Sequence, residues 1–274
     1  MISFLKIVLL GCIVAYVGFA ATVYFMPHLF LYHPDVVKPS IEKMTEKISE
    51  IKEVSLSDSS DAYGWYVPTQ NAQKVVVFLH GNSDNCSYFL NRAKPFVDNG
   101  YAVLMVEYQG FAGRKGKPNQ TSMEQDVRSA IAFLNSQGFE NKDIILYGHS
   151  MGTYLAVYGA SELGQNNPFD AVILEAPFTS VADVADKASF YLFPVRLLLY
   201  GNTYDSIARI HRINTRLLIG HGIPDKVVPY TQGERLFEKA LKPKEFYSSA
   251  EAGHRELPAY GFMSEIFSFL GEKQ

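Results

Sequence analysis

A chain of 274 residues with 25 Lys and Arg against 28 Asp and Glu carries a net charge of −3, so it offers no basic stripe for nucleic acid. Its length suits one large α/β domain or two small ones with ample core. Two cysteines, Cys12 and Cys86, are too few for a disulfide framework, and with Cys12 in an apolar segment both read as free thiols.

The chain begins with a stretch unlike an ordinary soluble domain. From Ile7 to Pro27 there is no charged residue, only Leu, Ile, Val, Ala, Gly, aromatics and their like. In a helix that run spans about 30 Å, the hydrocarbon thickness of a bilayer. A cleaved signal has a shorter apolar core of about 7–15 residues ending at small residues. Here Ala20-Ala21 is followed by further apolar residues, Tyr24, Phe25 and Met26. The segment therefore reads as an uncleaved membrane anchor over 1–30, with Tyr24, Phe25, Phe30 and Tyr32 suited to the interfacial belt. Lys38, Lys43 and Lys47 follow only after a flank free of Lys and Arg. That distribution favours a cytoplasmic N-terminus and an extracytoplasmic domain.

Residues 31–53 are polar and charged, with Ile41, Met44 and Ile48 at helix-like spacing; they read as a juxtamembrane linker or a short amphipathic piece. The domain proper, 54–274, opens with strands at 54–56 and 63–67 separated by a Ser/Asp turn. Apolar runs at 74–79, 102–106, 143–147, 171–175, 216–220 and 244–248 then alternate with helical stretches near 88–97, 122–136, 153–160, 231–240 and 256–270. Near-continuous apolar strands between helices specify a mostly parallel sheet covered on both faces. The long insertion 178–214 carries Phe190, Tyr191, Leu192, Phe193, Val195 and Leu197 to Tyr200. It follows the carboxyl end of a strand, where ligands bind in such sheets. Either it caps the site with an apolar underside or it packs a helix on the sheet.

The chemistry centres on Asp143 to Gly152. A short apolar strand feeds Gly148-His149-Ser150-Met151-Gly152, and a small-residue helix follows. Strand, sharp turn and helix are what a G-x-S-x-G nucleophile elbow requires. A serine hydroxyl needs a base, and the base needs an acid to fix its tautomer. On this architecture the chain order is Ser, Asp or Glu, His. Of the later histidines, His211 precedes a strand at the wrong end of the sheet, and His221 reads as shaping its own turn. His254, in the loop after the last strand, faces the elbow and is the candidate base. Asp225, in the Pro-containing turn after the 216–220 strand, is the candidate acid. Glu175 is the runner-up, and Asp205 reads as a helix cap. An oxyanion needs backbone N–H donors, for which Met151 and Asn82, within His80-Gly81-Asn82, are placed.

These motifs, with Tyr108-Gln109-Gly110-Phe111, Gly222-Ile223-Pro224-Asp225 and Gly253-His254, resemble the α/β-hydrolase superfamily. Within it the pattern is similar to membrane-anchored serine hydrolases of the bud-emergence type, which include acyl-protein thioesterase-like members. The resemblance covers nearly the whole chain and implies an α/β-hydrolase fold, with Ser150, Asp225 and His254 as catalytic triad and Asn82 and Met151 as oxyanion donors. The chain departs from the family's usual Tyr-Arg-Gly-Tyr-Gly after the fourth strand, having Gln109, Phe111, Ala112 and Gly113, and it carries Arg255-Glu256 after the histidine. The expected activity is hydrolysis of a carboxylic ester or thioester, on a small-molecule or lipid-like substrate. An aminopeptidase or amidase, or an inert membrane-tethered scaffold, are the rivals. No cofactor, metal or nucleic-acid partner is expected, since the histidines lack paired ligand spacing and no dinucleotide or phosphate fingerprint occurs.

Overall fold

The computed structural model describes residues 2–58, 60–188 and 194–271. Its centre is an eight-stranded sheet of β1 (Lys52–Ser55), β2 (Tyr63–Val67), β3 (Val75–Leu79), β4 (Ala102–Val106), β5 (Ile144–His149), β6 (Ala171–Glu175), β7 (Arg216–Gly222) and β8 (Lys244–Ser249). The spatial order is β8-β7-β6-β5-β3-β4-β2-β1. β1 and β2 are antiparallel to their neighbours; β3 to β8 run parallel. This is the α/β-hydrolase fold.

β2 to β6 are buried along their whole length, as expected of strands covered on both faces. Each wholly buried Val, Leu or Ile there contributes roughly 1.5–3 kcal/mol. The covering helices are α4 (Leu90–Asp98), α5 (Gln120–Ser136), α6 (Met151–Tyr158), α9 (Tyr230–Lys239) and α10 (Phe262–Leu270). Asn119 caps α5 by accepting from the Ser122 amide while Ser122 Oγ accepts from the Asn119 amide, so α5 starts two residues before the apolar pattern suggests. α6 ends at Tyr158 and continues as a π-turn through Leu163.

The N-terminal helix α1 (Ile2–Phe25) is apolar over Phe4–Phe25, with mean hydropathy 2.2, and exposed over most of that length. A short α2 (His28–Leu31) follows. The stretch read as a linker is packed: Tyr32, Met44, Ile48 and Ile51 are all buried, and α3 (Ile41–Thr45) presents Met44 inward. His33–Pro34 pairs with Ser83–Asp84 in a separate parallel ladder. Tyr32 departs from the interfacial role expected of it. Its ring is buried and its hydroxyl meets Tyr204 Oη at 2.5 Å, whereas Tyr24, Phe25 and Phe30 are exposed. Tyr32 lies seven residues past the end of α1 and directly after α2, so the chain can turn it inward, and the gain is a buried partner for its hydroxyl.

In the insertion, α7 (Val181–Ala188) and α8 (Val195–Leu198) pack on each other. Val195 and Leu199 are buried while Leu197 and Tyr200 are exposed. Phe190, Tyr191, Leu192 and Phe193, expected to be apolar features of this insertion, lie outside the described residues.

Candidate active site

Ser150 sits between β5 and α6 with φ 52° and ψ −119°, a strained conformation for a non-glycine residue that costs about 1–3 kcal/mol. The surroundings enforce it. A Cβ on Gly148 would fall 2.3 Å from the Gly152 carbonyl oxygen, and one on Gly152 would fall 1.9 Å from that of Leu79. Only glycine lets strand, turn and helix close this tightly. The Ser150 amide donates to the Glu175 carbonyl at 2.9 Å, and the Thr153 amide and hydroxyl donate to the Ser150 carbonyl at 2.9 and 2.6 Å.

His254 and Asp225 meet Ser150 from the loops after β8 and β7. The Ser150 hydroxyl lies 2.9 Å from His254 Nε2, and His254 Nδ1 lies 2.8 Å from Asp225 Oδ2. The structure thus brings to the serine two residues that lie 75 and 104 positions further along the chain. Asp225 Oδ1 accepts from the amides of Val227 and Val228 at 2.8 and 2.9 Å, which locks the carboxylate to its own turn. Burial alone would push the Asp225 carboxyl up. Hydrogen bonds from His221 and His254, the His254 charge and the Val228 amide outweigh it and hold the group well below the usual carboxylate range. His221, expected to shape its turn, does so by donating from Nε2 to the Val228 carbonyl at 3.0 Å, with Asp225 Oδ2 3.3 Å away.

Glu175, the runner-up acid, points elsewhere. Its carboxylate takes a two-point bond from Arg92, at 2.9 and 2.7 Å, and the Tyr147 hydroxyl at 2.6 Å. Burial favours the neutral acid, but Arg92, His149 and Tyr147 prevail and lower the carboxyl below its ordinary value. Arg92 also donates to the Arg255 carbonyl at 2.8 Å, tying α4 to the histidine loop. His211 lies in a 3-10 turn before β7, and Asp205 accepts from the Ala208 amide at 3.0 Å, as a cap does. Sequence reasoning missed Arg92. A lone arginine in a polar-looking helix gives no hint of a partner 83 residues away.

The loop after β3 is pinned by its carbonyls. His80 O accepts from the Tyr108 hydroxyl at 3.0 Å, Gly81 O from His80 Nδ1 at 2.9 Å and Asn82 O from the His33 amide at 2.8 Å. Because C=O and N–H of a trans peptide point oppositely, fixing the Gly81 carbonyl to the His80 ring turns the Asn82 amide the other way. A Cβ on Gly81 would come 3.3 Å from Ser150 Cβ, so this loop runs directly past the hydroxyl. Among the described residues neither the Asn82 nor the Met151 amide has an acceptor. Met151 is the first residue of α6, where orphan N–H groups and the helix dipole favour negative charge.

The segment after α1 forms part of this site. The Asn82 side chain donates to the Leu31 carbonyl at 2.9 Å. A pocket of about 210 Å³ beside Ser150 is lined by Phe30, Leu31, Asn82, Met151, Phe178 and residues of α7 and of the turn at Val227 and Val228. Among the described residues no carboxylate lines it.

Below the loop, His80, Cys86 and Glu107 lie fully buried with potential ligand atoms within 4.8 Å of one another. His80 and Glu107 each keep one orphaned side-chain atom, 3.6 Å apart. The set fits an ion poorly. Burial and the neighbouring Glu107 push the Cys86 thiol up, away from the thiolate that ligation needs. Glu107 Oε1 already accepts from the Cys86 amide and the Trp65 indole, at 3.0 and 3.3 Å.

Comparison with known proteins places these features in a context. Residues 70–200 match a family model described as serine aminopeptidase, S33. An uncharacterized protein of Mycobacterium tuberculosis is 31% identical over 206 residues, spanning 74% of this chain and 71% of its own. Human alpha/beta hydrolase domain-containing protein 17B is 28% identical over 74% of this chain and 68% of its own. The solved esterase Pf2001 of Pyrococcus furiosus superposes with TM-score 0.69 at 19% identity, covering 88% of this chain and 98% of that one.

Proposed function

The chain belongs to the α/β-hydrolase superfamily, and from that premise we propose that it hydrolyses carboxylic esters or thioesters through an acyl-enzyme on Ser150. His254 Nε2 accepts the Ser150 proton as Oγ adds to the carbonyl carbon, and Asp225 keeps the imidazole in the Nδ1–H tautomer and stabilises the resulting charge. The Asn82 and Met151 amides receive the oxyanion. The tetrahedral adduct collapses, and His254 gives its proton to the departing alcohol or thiol. A water activated by the same imidazole then releases the acid and restores the serine. The observation that carries this reading is the continuous path Ser150 Oγ, His254 Nε2, His254 Nδ1, Asp225 Oδ2, with contacts of 2.9 and 2.8 Å.

An ester is favoured over a peptide amine by the pocket. Its wall is mostly apolar and, among the described residues, offers no carboxylate to hold an ammonium group, and such walls suit acyl chains. We read α1 as a retained anchor. The buried Val23 and the packing of α1 on α8 support that reading. Intact mass of the membrane fraction tests retention: residues 1–21 present support it, and their removal contradicts it.

The activity test is labelling with a fluorophosphonate probe followed by ester hydrolysis. Wild type should label, and Ser150→Ala should lose labelling together with at least about 10³-fold of the hydrolysis rate. An inert wild type would instead support a tethered scaffold. Faster cleavage of an aminoacyl anilide than of a p-nitrophenyl ester would support a peptidase.

A further inference from the structure

The wall of the Ser150 pocket touches the apolar helix itself. Phe30, which lines the pocket, meets Phe19 of α1 edge to face with ring centroids 5.6 Å apart. Phe19 lies six residues before the end of α1, which is about 9 Å along a helix axis. The headgroup layer on each side of a bilayer is about 5–8 Å thick. A pocket wall that reaches so far back along a spanning helix is therefore level with the headgroups or below them.

The surface around that wall matches this depth. Leu29 is 53%, Leu197 71%, Tyr200 83% and Val227 58% exposed, and α8 lies against α1. Interspersed with them are Lys226, and Arg196 paired with Asp183. Long cationic side chains beside apolar ones are suited to lie along hydrocarbon while their heads reach phosphate. Val227 lines the pocket, Leu29 precedes Phe30 of its wall, and Leu197 and Tyr200 lie on and just after the α8 helix that packs on α1, so these exposed apolar side chains gather beside the anchor helix.

We propose that the mouth of the Ser150 pocket, framed by Phe30, Val227 and the α7–α8 pair, docks on the bilayer interface, so that a bilayer-resident ester passes its acyl chain sideways along α1 into the pocket. The proposal rests on the reading of α1 as a membrane anchor and of Ser150 as nucleophile. The occupant of the apolar rim is the lipid surface, because the rim is continuous with the helix that enters it.

The test uses the full chain in phosphatidylcholine vesicles. In a Cys12→Ser background, Cys86 is buried with its thiol proton retained and does not compete for label. An environment-sensitive fluorophore is placed through Leu197→Cys or, as a control beyond the opposite end of the sheet, Gln137→Cys. Lipids carrying a nitroxide at carbon 5 should quench the label at 197 several-fold more than the label at 137. Equal quenching overturns the proposal. Separately, Leu197→Glu/Tyr200→Glu should lower hydrolysis of a long-chain ester dispersed in the vesicles by about tenfold, while hydrolysis of p-nitrophenyl acetate is retained. An unchanged long-chain rate also overturns it. A wild type inert toward both esters sinks the hydrolase reading instead, and the quenching then decides the docking alone.

Discussion

At the scale of single residues, the site is held by side chains whose protonation the fold has already decided. Asp225 is kept ionised by its hydrogen bonds, and Asp225→Asn, which keeps the shape but disturbs the tautomer of His254, should lower kcat by roughly 10⁴ in steady-state ester hydrolysis. His149 is governed by burial. Loss of solvation drives its imidazole down to about 3, against an attraction from Glu175. Its pKa is depressed, as those of Asp225 and Glu175 are, so it too loses stability as pH falls, but in a higher pH window set by the imidazole's ordinary value. Below its ordinary pKa of 6.5 the unfolded chain takes up a proton that the folded chain refuses, so stability falls as pH drops from 6.5 toward 3. By pH 5 the loss is about 2 kcal/mol. Asp225 and Glu175, both depressed, stabilise the fold above their ordinary values and release that contribution only at lower pH. Urea unfolding at pH 7 and pH 5 should therefore show a wild-type loss that His149→Gln largely removes. An equal loss in the variant would contradict the assignment.

At the scale of elements, α4 is fastened to the end of β6 by Arg92 and Glu175, both nearly inaccessible to water. Removing one partner strands a buried charge and costs about 3–5 kcal/mol, whereas replacing both by apolar groups is often neutral. Arg92→Met should destabilise by that amount in chemical denaturation, and Arg92→Met/Glu175→Met should recover most of it. Equal losses would show that the charges matter only through packing. The elements themselves were legible from apolar runs, because a strand buried on both faces must be apolar throughout; β2, β4 and β6 fall at the expected limits. Less legible were features whose cause lies across the fold. The Arg92–Glu175 pair, the Tyr32–Tyr204 contact and the His80–Cys86–Glu107 cluster leave no local period or motif. Ser150, Asp225 and His254 were placed by chain order and by the ends of strands. Phe30 was placed only as an interfacial aromatic, because adjacency to a pocket wall cannot be read from a helix end.

At the scale of the whole molecule, sheet topology does most of the positioning. β5, β7 and β8 run parallel, so the loops at their carboxyl ends emerge on one rim and bring the elbow, the acid turn and the histidine loop within hydrogen-bond distance. The chain after α1 closes that rim through Leu31 and His33 on Asn82, so the apolar helix and the loop after β3 are joined by a strap rather than by a loose tether. The central claim is that Ser150 forms a covalent acyl intermediate under His254. Quenched-flow release of p-nitrophenol, paired with intact-mass analysis at the end of the first turnover, measures it most directly. The account predicts a burst of one equivalent and an acyl group mapped to the Ser150 peptide, both absent from Ser150→Ala and strongly slowed in His254→Ala. Steady hydrolysis with no burst and no adduct on Ser150, or with the adduct on another residue, would contradict it.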